Sequence, residues 1–136
     1  MSSTSSPVDI DFDLWISTAV EVARREGLRP NNEIRIFEHQ SDFDAATNST
    51  DRRWASGELR GLCSRGEPRQ RLIYVAPADE QSHFETLAHE LAHAVTPWRD
   101  RHSETWLQVT LGILAELVDA DFANSVEARY RDAYSL

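Results

Sequence analysis

One stretch constrains this chain more than any other, residues 82–96, closed by Pro97. Phe84, Leu87, Ala88, Leu91, Ala92 and Val95 recur at helical spacing, which predicts an amphipathic helix with one buried face. Ser82 followed by Glu85 has capping-box spacing and marks the predicted start. Pro97 cannot continue a helix and disfavours helical backbone at Thr96, so the element must end there. Such a helix needs a surface to cover its apolar face. Residues 71–75, Arg-Leu-Ile-Tyr-Val, supply the clearest strand, stopped by Pro77. A weaker strand is expected around 57–63, at an edge and bulged, because Gly57 and Gly61 interrupt it. A turn over 64–68 would join the two into an antiparallel hairpin.

The remaining elements follow the same logic. Trp15, Ala19, Val22 and Ala23 form the stripe of a helix over 9–26, capped by Asp9 or Asp11 and closed at Gly27. Residues 34–38 read as a short strand, and Ser41 starts a short helix through Ala46. His39 reads as a turn residue. A helix from Ser103 carries Trp106, Val109, Ile113, Leu114 and Leu117, and 119–134 reads as a third helix or its continuation. The expected fold is α+β, a short twisted sheet of about three strands packed against the Pro97-terminated helix and its flanking helices. Residues 1–8 are small and polar and are expected to be a disordered tail, leaving 9–136 as a single domain.

Charge narrows the partners. The 136 residues carry a formal net charge of −9, and all 14 basic residues are arginine. Residues 1–44 sum to −5, 45–78 to +3 and 79–136 to −7. Two acidic ends argue against a general nucleic-acid or anionic-membrane surface. The basic middle, including the Arg-rich 52–71 segment, reads as a solvated sheet face and hairpin, with a local docking patch as the alternative. No apolar run approaches the roughly 18 residues of a membrane span, and the start lacks the basic-then-apolar order of a signal peptide, so a cytoplasmic setting is expected. The single cysteine, Cys63, excludes an internal disulfide and a Cys-rich zinc knuckle and reads as a small buried hydrophobe.

The helix also carries chemistry, as His89-Glu90-Leu91-Ala92-His93. Residues four apart share a helix face, so both imidazoles can point at one metal ion. Glu90 follows the first histidine and can reach a water activated by that ion, taking its proton without being a ligand. Zinc at a catalytic site takes a third protein ligand and keeps its fourth position open. His102, nine residues after His93 at the mouth of the next helix, is the favoured third ligand. Asp100, Glu104, Glu116 and Asp119 are the alternatives, although an acid such as Glu104 is favourable in a first helical turn with no metal present. One Zn2+ per chain is expected.

Together with His102-Ser103-Glu104-Thr105-Trp106, the motif resembles the SprT-like and WLM-type minimal zinc metallopeptidases of the zincin superfamily. In particular it is similar to small actinobacterial metallohydrolases with the same short spacing, over about residues 34–118. The resemblance implies a zincin-like domain in which His89, His93 and His102 hold zinc and Glu90 is the general base. The chain departs from that pattern in three respects. Ser103 stands where the family commonly has glycine, the loop to the third histidine is short, and there is neither a zinc ribbon nor a basic tail for DNA. A metzincin is excluded because Arg99 occupies the position of its third histidine.

The reading that results is a zinc-dependent hydrolase, a metallopeptidase. Its peptide or protein substrate would lie as an extended strand along an exposed sheet edge beside strand 71–75. The alternatives are a zinc hydrolase of a non-protein amide and a non-catalytic zinc-stabilised binding or regulatory module. Glu90 argues against the last, because a structural site has no use for a base. Supporting roles are open for Tyr74 (oxyanion donor or half-buried strand residue), Arg99 and Arg101 (substrate carboxylate or solvation), Trp98 (cleft lining or packing) and His83 (proton transfer or exposed surface). Trp106 is expected in the core.

Overall fold

The computed structural model describes residues 9–48, 60–66 and 69–136. The predicted tail at 1–8 and the predicted strand residues 57–59 lie outside the described residues. Helix α1 spans Phe12–Arg25, and Asp11 caps it by accepting the Leu14 N–H at 3.1 Å. Gly27, at φ +85°, turns the chain so that the Leu28 N–H reaches the Ala23 carbonyl, a left-handed closure that glycine makes without a steric penalty. Strand β1 (Glu33–Phe37) leads within two residues into helix α2 (Gln40–Thr47). This helix starts one residue earlier than predicted, after His39 rather than at Ser41, and no side chain caps it. The short link forces the early start, and burial of Phe43 against Phe37 and Tyr74 replaces the missing cap.

Strands β2 (Gly61–Gly66) and β3 (Gln70–Val75) form the expected antiparallel hairpin. Residues 64–66, predicted as turn, are strand, because they pair in unbroken register with Gln70, Arg71 and Leu72. The expected bulge is likewise absent from 61–66, and Arg69 takes the left-handed turn conformation at φ 55°. The sheet order is β1-β3-β2, with β1 parallel to β3. β3 is therefore the central strand, and its two edges are already paired. Among the described residues, the edge strand next to the motif helix is β2.

That helix, α3, spans Glu80–Val95. Its cap is Asp79, not Ser82: the carboxylate accepts the Ser82 N–H at 3.0 Å and the Ser82 hydroxyl at 2.9 Å. A full negative charge at the helix N-terminus outcompetes a serine three residues on. Thr96 ends the helix before Pro97, as expected, and a 3-10 turn (Trp98–Asp100) follows. Helix α4 (Glu104–Leu117) starts at Ser103, whose hydroxyl accepts the Trp106 N–H at 3.2 Å. Helix α5 (Ala120–Tyr134) is a separate element, capped by Asp119.

The sheet has two covered faces. Ile73, Val75 and Cys63 join Leu87, Leu91, Trp106, Ile113, Leu114 and Val126 in the main core beneath α1, α3, α4 and α5. Leu72, Tyr74 and Phe37 face the other way, onto Phe43 of α2. The molecule is thus a small α+β domain in which the helix carrying the paired histidines is pinned between the sheet and α4. Among the described residues, no helix is long and apolar enough to cross a membrane.

Candidate metal centre

His89 and His93 project from one face of α3, and His102 returns over them from the loop before α4. The His102 Nε2 lies 3.2 Å from both His93 Nε2 and His89 Nε2. Two ligands on one tetrahedral zinc, at Zn–N distances of 2.0–2.1 Å, stand about 3.3 Å apart. The three ring nitrogens thus have the spacing of a coordination shell, and among the described residues they are the one group of this kind.

The protonation states suit that role. Burial, then the neighbouring His93 and His102, hold His89 well below its ordinary value. Burial and His102 lower His93 to about 4, and burial followed by the Arg101 charge lowers His102. All three rings are therefore neutral near pH 7, with lone pairs available to a metal.

Aromatic residues set the rings in place. The Trp106 indole N–H donates to the His89 carbonyl at 3.2 Å, and its ring stacks on His93 at 5.3 Å. Tyr134 stacks on His102 at 4.0 Å. The Tyr130 hydroxyl lies 3.3 Å from His89 Nδ1 and donates to Glu85 Oε2 at 2.9 Å, and Arg129 clamps that same carboxylate. With its hydrogen committed to Glu85, the hydroxyl is an acceptor for His89 Nδ1–H, and this tautomer turns the Nε2 lone pair inward.

Glu90 points to the other side of the triad. It is 7% exposed, and its Oε2 stands 3.9 Å from His89 Nε2. Burial raises its pKa to about 8, against a bond from the Cys63 backbone N–H that favours the ionised form. Strand β2 passes so close that a Cβ on Gly61 would sit 2.5 Å from Thr86 Cγ2 and 3.2 Å from Glu90 Cγ. Glycine at 61 therefore lets the edge strand reach the carboxylate.

The alternative ligands are engaged elsewhere. Glu104 binds Arg131 and Gln108, Glu116 binds Arg25 at 2.9 Å, and Asp119 caps α5. Asp100 sits on the 3-10 turn, outside the triad. Tyr74 is on the opposite sheet face against Phe43, away from the triad. His83 is half-buried rather than exposed, and burial lowers its pKa. Cys63 is buried, and desolvation, followed by the Glu90 charge, pushes its thiol up, so it is no nucleophile. Trp106 is fully buried, as expected, but it also contacts all three histidines. Trp98 is exposed, with Arg65 and Arg71 over its ring.

Sequence reasoning missed Glu85, Tyr130 and Tyr134. The available signal was spacing: Glu85 stands four residues before His89, and Tyr130 four before Tyr134, so each pair shares a helix face. Only the packing of α5 against α4 shows that those faces meet. Compared with protein-family models, curated proteins and solved structures, the chain matches none.

Proposed function

We propose that this protein is a zinc-dependent hydrolase, a metallopeptidase acting on peptide or protein substrates in the cytoplasm. The observation that carries the reading is the convergence of His89, His93 and His102 Nε2 with the buried Glu90 carboxylate beside them. Three neutral imidazoles form the donor set of a catalytic zinc site, and among the described residues no fourth protein donor joins them. Bound zinc would supply Lewis acidity toward a carbonyl oxygen and would acidify water.

The chain's own residues do the rest. Glu90, which burial by itself raises to about 8, would be kept ionised by the charge of a bound zinc; its carboxylate then takes a proton from the attacking water and returns it to the leaving nitrogen. Its buried position keeps bulk water from competing, and the Cys63 N–H keeps it aimed. Tyr130 holds the His89 tautomer, and Trp106 and Tyr134 hold ring orientation. Among the described residues nothing pairs with the outer edge of β2, and an extended peptide would lie there, beside Glu90, as an added strand.

Glu90→Gln tests this directly. Glutamine keeps shape and helix propensity but cannot take the proton. Turnover of a peptide substrate should fall at least about 100-fold while zinc stays near one per chain. His102→Ala should instead lose zinc, by elemental analysis, far more than Asp100→Ala or Glu116→Ala. Unchanged turnover in Glu90→Gln with zinc retained removes the base from the mechanism. Inertness of the parent protein on every peptide tried removes the peptidase assignment.

A further inference from the structure

Against the loop that leads to His102 lies an open cavity of about 530 Å3 lined by Arg65, Pro97, Trp98, Arg99 and Arg101. The hydrolytic chemistry above uses none of these side chains. Arg101 is joined directly to His102, so the cavity and the metal centre share one loop. Arg101 holds φ 46° and ψ −124°, a conformation that a β-carbon disfavours and that persists only where surrounding structure imposes it.

Three guanidinium groups and no carboxylate line the cavity. The chain carries 23 acidic residues against 14 basic ones, and Arg25, Arg129 and Arg131 each hold a carboxylate. Among the described residues, Arg65, Arg99 and Arg101 hold none. Trp98, 37% exposed, organises the floor: the Arg65 and Arg71 guanidinium carbons lie 5.5 and 5.1 Å from its ring centroid. Contact through the flat face of a guanidinium leaves its edge N–H donors free for a ligand.

We infer that the groove binds an acidic side chain of the substrate, so that the protein acts on acidic peptides. This rests on the peptidase reading and specifies its substrate class. The strand geometry places the contact. Gly61 abuts Glu90, and Arg65 stands four residues along β2 on the same face, about 13 Å away at roughly 3.3 Å per residue. A peptide laid along β2 with its scissile bond at Glu90 therefore presents to Arg65 a residue about four positions from that bond. Arg99 and Arg101 close over the same carboxylate from the loop.

The test is equilibrium binding, which does not require cleavage. The probe is a fluorescein-labelled Ala/Ser peptide of about ten residues carrying a Glu pair, with a Gln-pair peptide as control. The receptor is the zinc-loaded Glu90→Gln protein, which holds peptide without turnover. A molecule of net charge −9 repels the Glu peptide as a whole, so a preference for it reports a local site. The Glu peptide should bind at least about tenfold more tightly at low salt, as one or two charge-assisted contacts provide. The advantage should shrink as salt screens it and vanish in Arg65→Gln/Arg99→Gln. Arg99→Gln alone, on an exposed turn, serves if the double variant does not fold by circular dichroism. Equal or tighter binding of the Gln peptide, no binding of either, or an advantage that survives the substitutions overturns the proposal. Selective binding of the Glu peptide by a protein that cleaves neither would keep the groove and remove the peptidase reading.

Discussion

At the scale of single residues, His89 carries the heaviest burden of orientation. Its Nε2 faces the other two imidazoles, its Nδ1 faces Tyr130, and Tyr130 answers to Glu85 and Arg129. This chain of bonds fixes which nitrogen carries the proton. Tyr130→Phe tests it, because phenylalanine keeps the ring that stacks on Trp106 at 5.5 Å and removes only the hydroxyl. Glu85 retains Arg129, so the metal-free fold should lose only about 1 kcal/mol in urea denaturation. Zinc affinity, measured by competition with a chelator, should weaken about 10- to 100-fold, the usual penalty for losing the partner of a ligating histidine. An affinity within about twofold of the parent's would show that the tautomer is set by something else.

Elements were legible where one sequence held the whole reason for them. The helix from Glu80 to Val95, the hairpin and the helix starting at Ser103 are written in apolar spacing, Pro97 and a serine cap, and the site histidines follow from a spacing of four on such a helix. What stayed hidden depended on pairing. Residues 64–66 look like a turn until Gln70–Leu72 lie beside them, and no local pattern in 34–38 shows that β1 docks in parallel on β3. Tyr130 and Tyr134 joined the site only through the packing of α5. Helix contact also gives Gly112 its reason. A Cβ there would stand 2.6 Å from Val22 Cγ1, and Val22 is 4% exposed and stiff at χ1. Gly112→Ala gains up to about 1 kcal/mol in helix propensity, while overpacking costs about 1–3 kcal/mol. Net destabilisation of up to about 2 kcal/mol is expected, with the α1–α4 contact loosened. A urea midpoint raised by the substitution would show that the two helices part without cost.

For the molecule as a whole, the metal centre sits on a core that does not need it. Leu87, Leu91, Ile113 and Leu114 are all at 0% exposure beneath the site, so chelation should lower the melting temperature without unfolding the protein at room temperature. In the metal-free protein the site should then dictate the dependence of stability on pH. Glu90 is raised from 4.5 to about 8, so between those values the folded state holds one proton that the unfolded state has lost. Acidification from pH 8 toward about 7 should therefore stabilise the fold. Below about 7 the unfolded chain increasingly protonates its histidines, whose ordinary value is 6.5, whereas folded His93 waits until about 4, and His89, His102 and His83 are also held down. More than one proton then favours the unfolded state against the single proton on Glu90, and stability falls. Glu104, lowered to about 2 mainly by its bonds to Arg131, adds to this loss only below its ordinary 4.5. The chelated protein should accordingly be most stable near about pH 7, with melting temperature declining on both sides. Glu90→Gln removes the main group behind the alkaline limb, so the variant's melting temperature should rise from about pH 6.5 toward 8, as the unfolded histidines lose their protons, while its acid limb steepens. A melting temperature that still falls between about pH 7 and 8 in Glu90→Gln would place the controlling proton on some residue other than Glu90.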